Sequence, residues 1–73
     1  MASSPIQNNI RRLRFEAGEM TQQELADRVQ VSRQTIVAIE KGNYSPSLEL
    51  AFRLSRIFKT PLEEVFSYEA NQD

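Results

Sequence analysis

The stretch Thr21–Glu40, TQQELADRVQVSRQTIVAIE, decides the fold of this 73-residue chain. It contains two short amphipathic helical patterns that are joined by a turn of three or four residues. Thr21 and Glu24 have the spacing of a capping box at the start of the first helix, and Ser32 is placed to cap the second. Two helices in this relation let one helix end enter the DNA major groove while the other supports it. The stretch therefore predicts a helix-turn-helix.

The second helix of this stretch has one side that suits base contacts. Ile36 and Ile39 mark its buried side, so the first-turn polar residues point outward. Arginine pairs bidentately with guanine and glutamine with adenine, each giving about 1–3 kcal/mol of discrimination, and an aliphatic side chain can meet a thymine methyl group. We predict base contacts from Arg33, Gln34 and Val37.

Phosphate contacts are expected from polar groups beside these residues. Ser32, Thr35 and Lys41 lie at the two ends of the same helix, where free N–H groups at its start also attract anions. Gln22, at the start of the preceding helix, should face the opposite phosphate wall. Taken singly, each of these residues is more often an ordinary solvated surface group. The fixed relation of two capped helices favours the DNA-binding interpretation.

Three further helices flank this motif. The first has an apolar stripe at Ile6, Ile10, Leu13 and Ala17, and the fourth is capped by Ser47. A capping box at Thr60-Pro61-Leu62-Glu63 predicts a short fifth helix that ends between residues 66 and 68. Strand-like alternation is not visible, so we expect an all-α, five-helix domain over residues 6–68, with the helix-turn-helix at 21–40. Residues 1–5 and 69–73 are expected to be flexible termini.

Composition narrows the function. The net charge is −1, but residues 1–62 carry nine basic and six acidic side chains (+3), whereas residues 63–73 carry four acidic ones (−4). A local basic patch is enough to contact phosphates. The chain has no His and no Cys, which removes the usual general base and the best metal ligands. We expect no enzyme activity, no metal and no cofactor.

No signal peptide or membrane span is visible in the sequence. The N-terminal residues lack a basic segment followed by an apolar one. The longest apolar run, Ile36–Ile39, is far too short to cross a bilayer. The expected location is the cytoplasm, with no membrane partner.

The stretch from about Asn9 to Phe66 resembles the Cro/cI-like (XRE) family of helix-turn-helix regulators. The resemblance rests on several short segments spread over nearly four-fifths of the chain. They are Asn9-Ile10 with Leu13-Arg14, Met20-Thr21-Gln22-x-Glu24-Leu25-Ala26, Val31-Ser32-Arg33-Gln34-Thr35-Ile36, Ile39-Glu40-x-Gly42, Tyr44-x-Pro46-Ser47-Leu48 and Pro61-Leu62-Glu63-x-Val65-Phe66.

The resemblance implies a lambda-repressor-like domain whose third helix, about residues 33–41, recognises DNA. It implies phosphate contacts from Gln22 and Lys41 and base contacts from the outward residues of helix three. It also implies a structural ion pair between Arg14 and Glu40, rather than a phosphate contact by Arg14. We therefore expect a sequence-specific transcriptional regulator that acts as a repressor on double-stranded DNA, without a small-molecule effector.

A protein-interaction module on the same fold, such as an antitoxin or an adaptor, is the alternative. The apolar residues Phe15, Leu50, Phe52 and Tyr68 are not obviously needed by the simplest core. If they cluster on the surface, they mark an interface; taken singly, each is more often packed in a small core. Exposure of Arg33 and Gln34 beside a basic surface would favour DNA binding over an adaptor role.

Homodimerisation is the expected assembly. One recognition helix covers only a few base pairs, whereas two-fold symmetric dimers contact half-sites about 34 Å apart. We expect the dimer contact on helices four and five, through residues such as Leu50, Ile57 and Phe66.

Overall fold

The structure is a computed structural model that describes residues 5–68. Within them lie five helices and one two-stranded antiparallel sheet. In chain order the elements are β1 (Ile6–Asn8), α1 (Ile10–Glu16), α2 (Gln22–Val29), α3 (Arg33–Lys41), α4 (Leu48–Phe58), α5 (Leu62–Val65) and β2 (Phe66–Tyr68). The expected five-helix core is confirmed, and apart from Pro5 the expected flexible termini lie outside the described residues.

Side-chain caps start the three central helices. Thr21 and Glu24 form the predicted capping box: the Thr21 hydroxyl accepts from the Glu24 N–H, and the Glu24 carboxylate accepts from the Thr21 N–H. Ser32 accepts from the N–H of the third residue after it, and Ser47 does the same for α4. These bonds satisfy N–H groups that have no partner within the helix. The caps predicted at Thr21, Ser32 and Ser47 are confirmed.

Left-handed residues end α2 and α3. Gln30 has a φ of 64° and Gly42 a φ of 81°. Glycine adopts this conformation without a Cβ penalty, whereas glutamine pays a modest cost. The abrupt end at Gln30 leaves only Val31 before the Ser32 cap, which keeps the turn between α2 and α3 short.

The two ends of the described chain pair with each other. β1 and β2 are antiparallel, with Ile6 opposite Tyr68 and Asn8 opposite Phe66. The prediction that Ile6 begins the first helix is therefore wrong, because α1 starts only at Ile10. Asn8 secures the junction: its side-chain oxygen accepts from the Ile10 N–H.

The capping box predicted at the start of α5 is also wrong. Pro61 takes the N-cap position and offers no side-chain hydrogen bond. The Thr60 hydroxyl instead donates to the carbonyl of Phe58 at the end of α4. The helix ends at Val65 because Phe66 is extended and enters β2.

One apolar core joins all five helices. Ile10 of α1, Leu25 of α2, Ile36 of α3, Leu54 of α4 and Val65 of α5 are each fully buried. The positions predicted to face inward in the helix-turn-helix are buried, whereas Ala17, assigned to the first apolar stripe, is exposed at the end of α1.

Several apolar side chains lie outside this core. Phe15, Phe52 and Tyr68 are exposed to 65%, 50% and 70%, so the simpler interpretation of them as core residues is wrong. Leu50 is buried and therefore does not offer the dimer contact expected of it. Between residues 5 and 68, no helix combines the length and apolar character needed to cross a membrane.

Candidate nucleic-acid interface

An open groove of about 650 Å³ lies between the start of α2 and the outer side of α3, with α1 along one edge. Eight of its nine lining residues have polar or charged side chains, and three of these are arginines. The lining residues are Arg11, Arg14, Thr21, Gln22, Gln23, Arg33, Val37, Glu40 and Lys41. The groove thus brings together the start of one capped helix and the full length of the next.

The α3 side of the groove is a stripe of three residues spaced four apart. Arg33, Val37 and Lys41 lie one above another along the helix. Arg33 and Lys41 are exposed, and Val37 is partly buried between them. The stripe offers a guanidinium group, an aliphatic group and an ammonium group in a row, from the first to the last residue of α3.

Gln34 does not share this stripe. It is exposed, but it lies about 100° around α3 from Arg33 and is not among the groove residues. The predicted base-contact set is therefore split, with Arg33 and Val37 in the groove and Gln34 beside it.

Ser32 and Thr35 form a local pair at the start of α3. Their hydroxyl oxygens are 3.0 Å apart, and the Ser32 hydroxyl also accepts from the Thr35 N–H at 3.2 Å. Both residues lie at the helix N-terminus, where the backbone attracts anions. Neither lines the groove, so a phosphate at this position would sit on its rim.

Arg14 and Glu40 are joined by a two-point ion pair at the base of the groove. Arg14 Nε donates to Glu40 Oε2 at 2.7 Å, and Nη2 donates to Oε1 at 3.1 Å. Nη1 of Arg14 also donates to the carbonyl of Met20. The two side chains are only 15% and 10% exposed. This geometry fixes the end of α3 against α1 and the loop before α2.

Gln22 adds a third member to this network. Its Nε2 donates to Glu40 Oε1 at 3.1 Å. A carboxamide nitrogen carries two hydrogens, so the second one remains available for an oxygen across the groove. Since Arg14 neutralises Glu40, the carboxylate in the groove no longer opposes an incoming anion.

Three cations of the groove are not neutralised in this way. Considering only residues 5–68, Arg11, Arg33 and Lys41 have no carboxylate within ion-pair distance. Arg11 was not among the predicted site residues, although its position three residues before Arg14 places both on one side of α1. The groove therefore carries an uncompensated positive charge.

Metal chemistry finds no support in the described part of the chain. Residues 5–68 contain no cluster of three or more His, Cys, Asp or Glu side chains that could hold a metal ion.

The fold and the groove define a helix-turn-helix protein of the DNA-binding class. A family model for the helix-turn-helix matches residues 10–65. The chain is similar to an uncharacterized HTH-type transcriptional regulator of Methanocaldococcus jannaschii, with 51% identity over 73% of this chain and 80% of that protein. An uncharacterized HTH-type transcriptional regulator of Methanothermobacter thermautotrophicus is 55% identical over 78% of this chain and 83% of its own length.

A phage protein is similar as well. The cryptic phage CTXphi transcriptional repressor RstR of Vibrio cholerae is 37% identical over 82% of this chain and 53% of its own length. The chain belongs to the Cro/cI-like (XRE) family of helix-turn-helix transcriptional regulators. This is a non-enzymatic family of DNA-binding proteins, so the expected class is confirmed.

Proposed function

We propose that the protein is a sequence-specific transcriptional repressor that binds operator DNA as a homodimer, with α3 of each copy in the major groove. Residues 6–68 are the functional domain in this proposal, and residues 21–40 are its helix-turn-helix. No cofactor and no small-molecule effector take part, and the site of action is the cytoplasm.

One observation carries the proposal: the uncompensated stripe on α3. Arg33 and Lys41 are exposed in the groove with Val37 between them, while Glu40, the one carboxylate that lines the groove among residues 5–68, is held by Arg14. An ordinary solvated surface helix has no need to keep its cations apart from nearby carboxylates. A helix that enters the electronegative major groove requires cations without acidic partners on its outer side.

The roles of the individual residues follow from their positions. Arg33 and Val37 are proposed to contact bases from within the groove, and Gln34 to contact a neighbouring base from its edge. Lys41 and the second Gln22 amide hydrogen would each hold a phosphate.

Ser32 and Thr35 are proposed to contact a further phosphate at the start of α3. Their hydroxyl groups would exchange part of their mutual bond for the anion, helped by the backbone N–H groups there. This contact would fix the depth at which α3 enters the major groove.

Two considerations support a repressor that acts as a dimer. The similar phage protein bears the name of a transcriptional repressor. A nine-residue recognition helix spans few base pairs, and two-fold symmetry doubles the contacted sequence.

Arg33 and Gln34 are both exposed, which is the condition that favours DNA binding over an adaptor role.

Selection from a randomised duplex library tests the proposal. We expect the protein to enrich a short inverted repeat whose half-site centres lie about one helical turn, or 10–10.5 base pairs, apart or a multiple of it. If the folded protein enriches no sequence above the input library, the repressor function is wrong and the adaptor or antitoxin role takes its place.

A further inference from the structure

The last turn of α3 is held from outside the helix at two consecutive residues. The side-chain carboxylate of Glu40 is bound by Arg14, and the backbone carbonyl of Ile39 accepts a 2.9 Å hydrogen bond from Nδ2 of Asn8. Asn8 lies in β1, 31 residues before Ile39. The end of α3 is therefore tied both to α1 and to the strand that precedes α1.

The Asn8 side chain uses both of its polar atoms. Oδ1 accepts from the Ile10 N–H at 3.1 Å, while Nδ2 donates to Ile39. The backbone of this partly buried residue pairs with Phe66 across the two-stranded sheet. A reversed amide would bring donor against donor and acceptor against acceptor, so the two bonds fix its orientation. Asn8 thus links the start of α1 to the end of α3.

The neighbouring Asn9 is used differently. Its side-chain Nδ2 donates to the carbonyl of Glu64 at 2.9 Å, and its backbone N–H donates to the carbonyl of Val65. Both bonds lead to α5 and neither leads to α3. Of these two adjacent asparagines, Asn8 is the one whose side chain holds α3.

We propose that Asn8 is a positioning residue for DNA binding, which holds the last turn of α3 at the place from which Lys41 reaches a phosphate. The inference rests on the proposed function and adds to it a residue outside the groove. Lys41 is the last residue of α3, directly follows the two residues that are held, and lines the groove. Its side chain is long and flexible, so a fixed backbone beneath it limits the conformational entropy that a phosphate contact costs.

The end of α3 depends on such support more than its middle does. The final carbonyls of a helix have no N–H partner within it. In α3 the chain turns away at Gly42, whose N–H donates to the same Ile39 carbonyl that Asn8 binds. Without the Asn8 bond, this turn keeps only its local hydrogen bonds. We therefore expect the last turn to open more often and Lys41 to leave its position in the groove.

Asn8→Ser separates the two bonds of the Asn8 side chain. A serine hydroxyl still accepts from the Ile10 N–H, since serine makes the same local bond more weakly than asparagine. Because it is one atom shorter, it does not reach the Ile39 carbonyl. Asn9→Ser is the matched control, because it makes the same chemical change and removes a bond to α5 instead.

Amide hydrogen exchange of the free protein tests whether Asn8 holds α3. The Gly42 and Asn43 N–H groups donate to the last turn of α3 and report its opening. In Asn8→Ser we expect both to exchange at least about 3-fold faster than in the wild type, relative to the amide of the fully buried Leu54. A general loss of stability would accelerate all three equally. In Asn9→Ser the Gly42 and Asn43 amides should exchange as in the wild type.

Affinity for the selected operator, measured by fluorescence anisotropy, tests the consequence for DNA binding. Asn8→Ser should weaken binding about 3- to 10-fold, by no more than Lys41→Ala does, whereas Asn9→Ser should stay within about 2-fold of the wild type. The double variant Asn8→Ser/Lys41→Ala should bind like Lys41→Ala alone, because a residue that acts through Lys41 has no effect once the ammonium group is gone. A merely structural role does not predict this result.

Three results would overturn the inference: unchanged exchange at Gly42 and Asn43, additive losses in the double variant, or an Asn9→Ser variant that behaves like Asn8→Ser. If circular dichroism shows that Asn8→Ser is unfolded, Asn8→Asp takes its place. Aspartate has the same shape and keeps the acceptor but not the donor. Asn9→Asp is then the control of equal charge.

Failure of this inference is distinguishable from failure of the proposed function, because the exchange measurement contains no DNA. Faster exchange at Gly42 and Asn43 in a protein that selects no DNA sequence leaves Asn8 as the residue that holds α3 and removes the repressor function. A protein that binds its operator but shows additive losses in the double variant does the reverse.

Discussion

The groove and an apolar face expose side chains of different kinds and suit different interactions. In the groove, Glu40 is bound by Arg14 and Gln22 through directional hydrogen bonds. Arg11, Arg33 and Lys41 have no carboxylate partner among residues 5–68. Ile6, Leu48, Phe52, Leu62, Phe66 and Tyr68 form the apolar face, on which Leu48, Phe52 and Tyr68 are exposed to 50–70%. The comparison indicates that a change in the groove affects folding or DNA binding depending on which charge it removes. A change at the exposed Leu48, Phe52 or Tyr68 should leave the core and the groove intact.

The largest effect is expected from breaking the groove's ion pair. Arg14→Ala removes the cation from Glu40, whose side chain is 10% exposed in the wild type, so we expect a loss of about 2–3 kcal/mol in the free energy of unfolding. Urea denaturation followed by circular dichroism measures it. Arg12→Ala is the control, because its pair with Glu16 is 59% exposed on both sides and is worth at most about 0.5 kcal/mol. Equal losses in both variants would contradict this account of the groove.

The second largest effect is expected on DNA affinity, with little change in stability, from a substitution at Arg33. Arg33 is exposed and unpaired among the described residues, so Arg33→Ala should leave the free energy of unfolding within about 0.5 kcal/mol of the wild type. Affinity for the selected operator should fall by about 1–3 kcal/mol, or roughly 5- to 150-fold, with relaxed preference at one base pair. Fluorescence anisotropy against operator and random duplexes measures both. A parallel loss on random DNA would show that Arg33 contacts phosphate only.

The smallest effect is expected from Lys41, at the far end of the same stripe. Lys41→Ala should weaken binding to operator and random duplexes by a similar factor, because an ammonium group near phosphate carries no base information. The slope of log K against log salt concentration should become shallower by about one. An unchanged slope would remove Lys41 from the phosphate contacts.

Much of the fold follows from local chemistry that a sequence displays. Thr21, Ser32 and Ser47 each satisfy N–H groups within three residues of themselves, so their roles are visible without knowledge of the rest of the chain. The helical spacing of apolar residues is also a local pattern, and it places Leu25 and Ile36 on the inward sides of α2 and α3.

Structural features that join residues far apart in the chain could not be predicted from the sequence. β1 and β2 are three residues each and lie about sixty residues apart, too short for an alternation pattern. The predicted capping box at Thr60 was wrong because Pro61, and not Thr60, occupies the N-cap position of α5. The spacing of Thr60 and Glu63 alone does not show which of the two residues begins the helix. The Gln22–Glu40 hydrogen bond depends on the packing of α2 against α3, and the groove position of Arg11 depends on that of α1.

The central claim is that DNA contacts the groove and leaves the apolar face free, and one titration tests it most directly. Backbone amide chemical shifts of the ¹⁵N-labelled protein would be followed as the selected operator duplex is added at constant protein concentration. The account predicts the largest changes at the start of α2 and along α3, including Gln22, Arg33 and Lys41, with small changes on the apolar face. Largest changes at Leu62, Phe66 and Tyr68, with α3 unaffected, would contradict it.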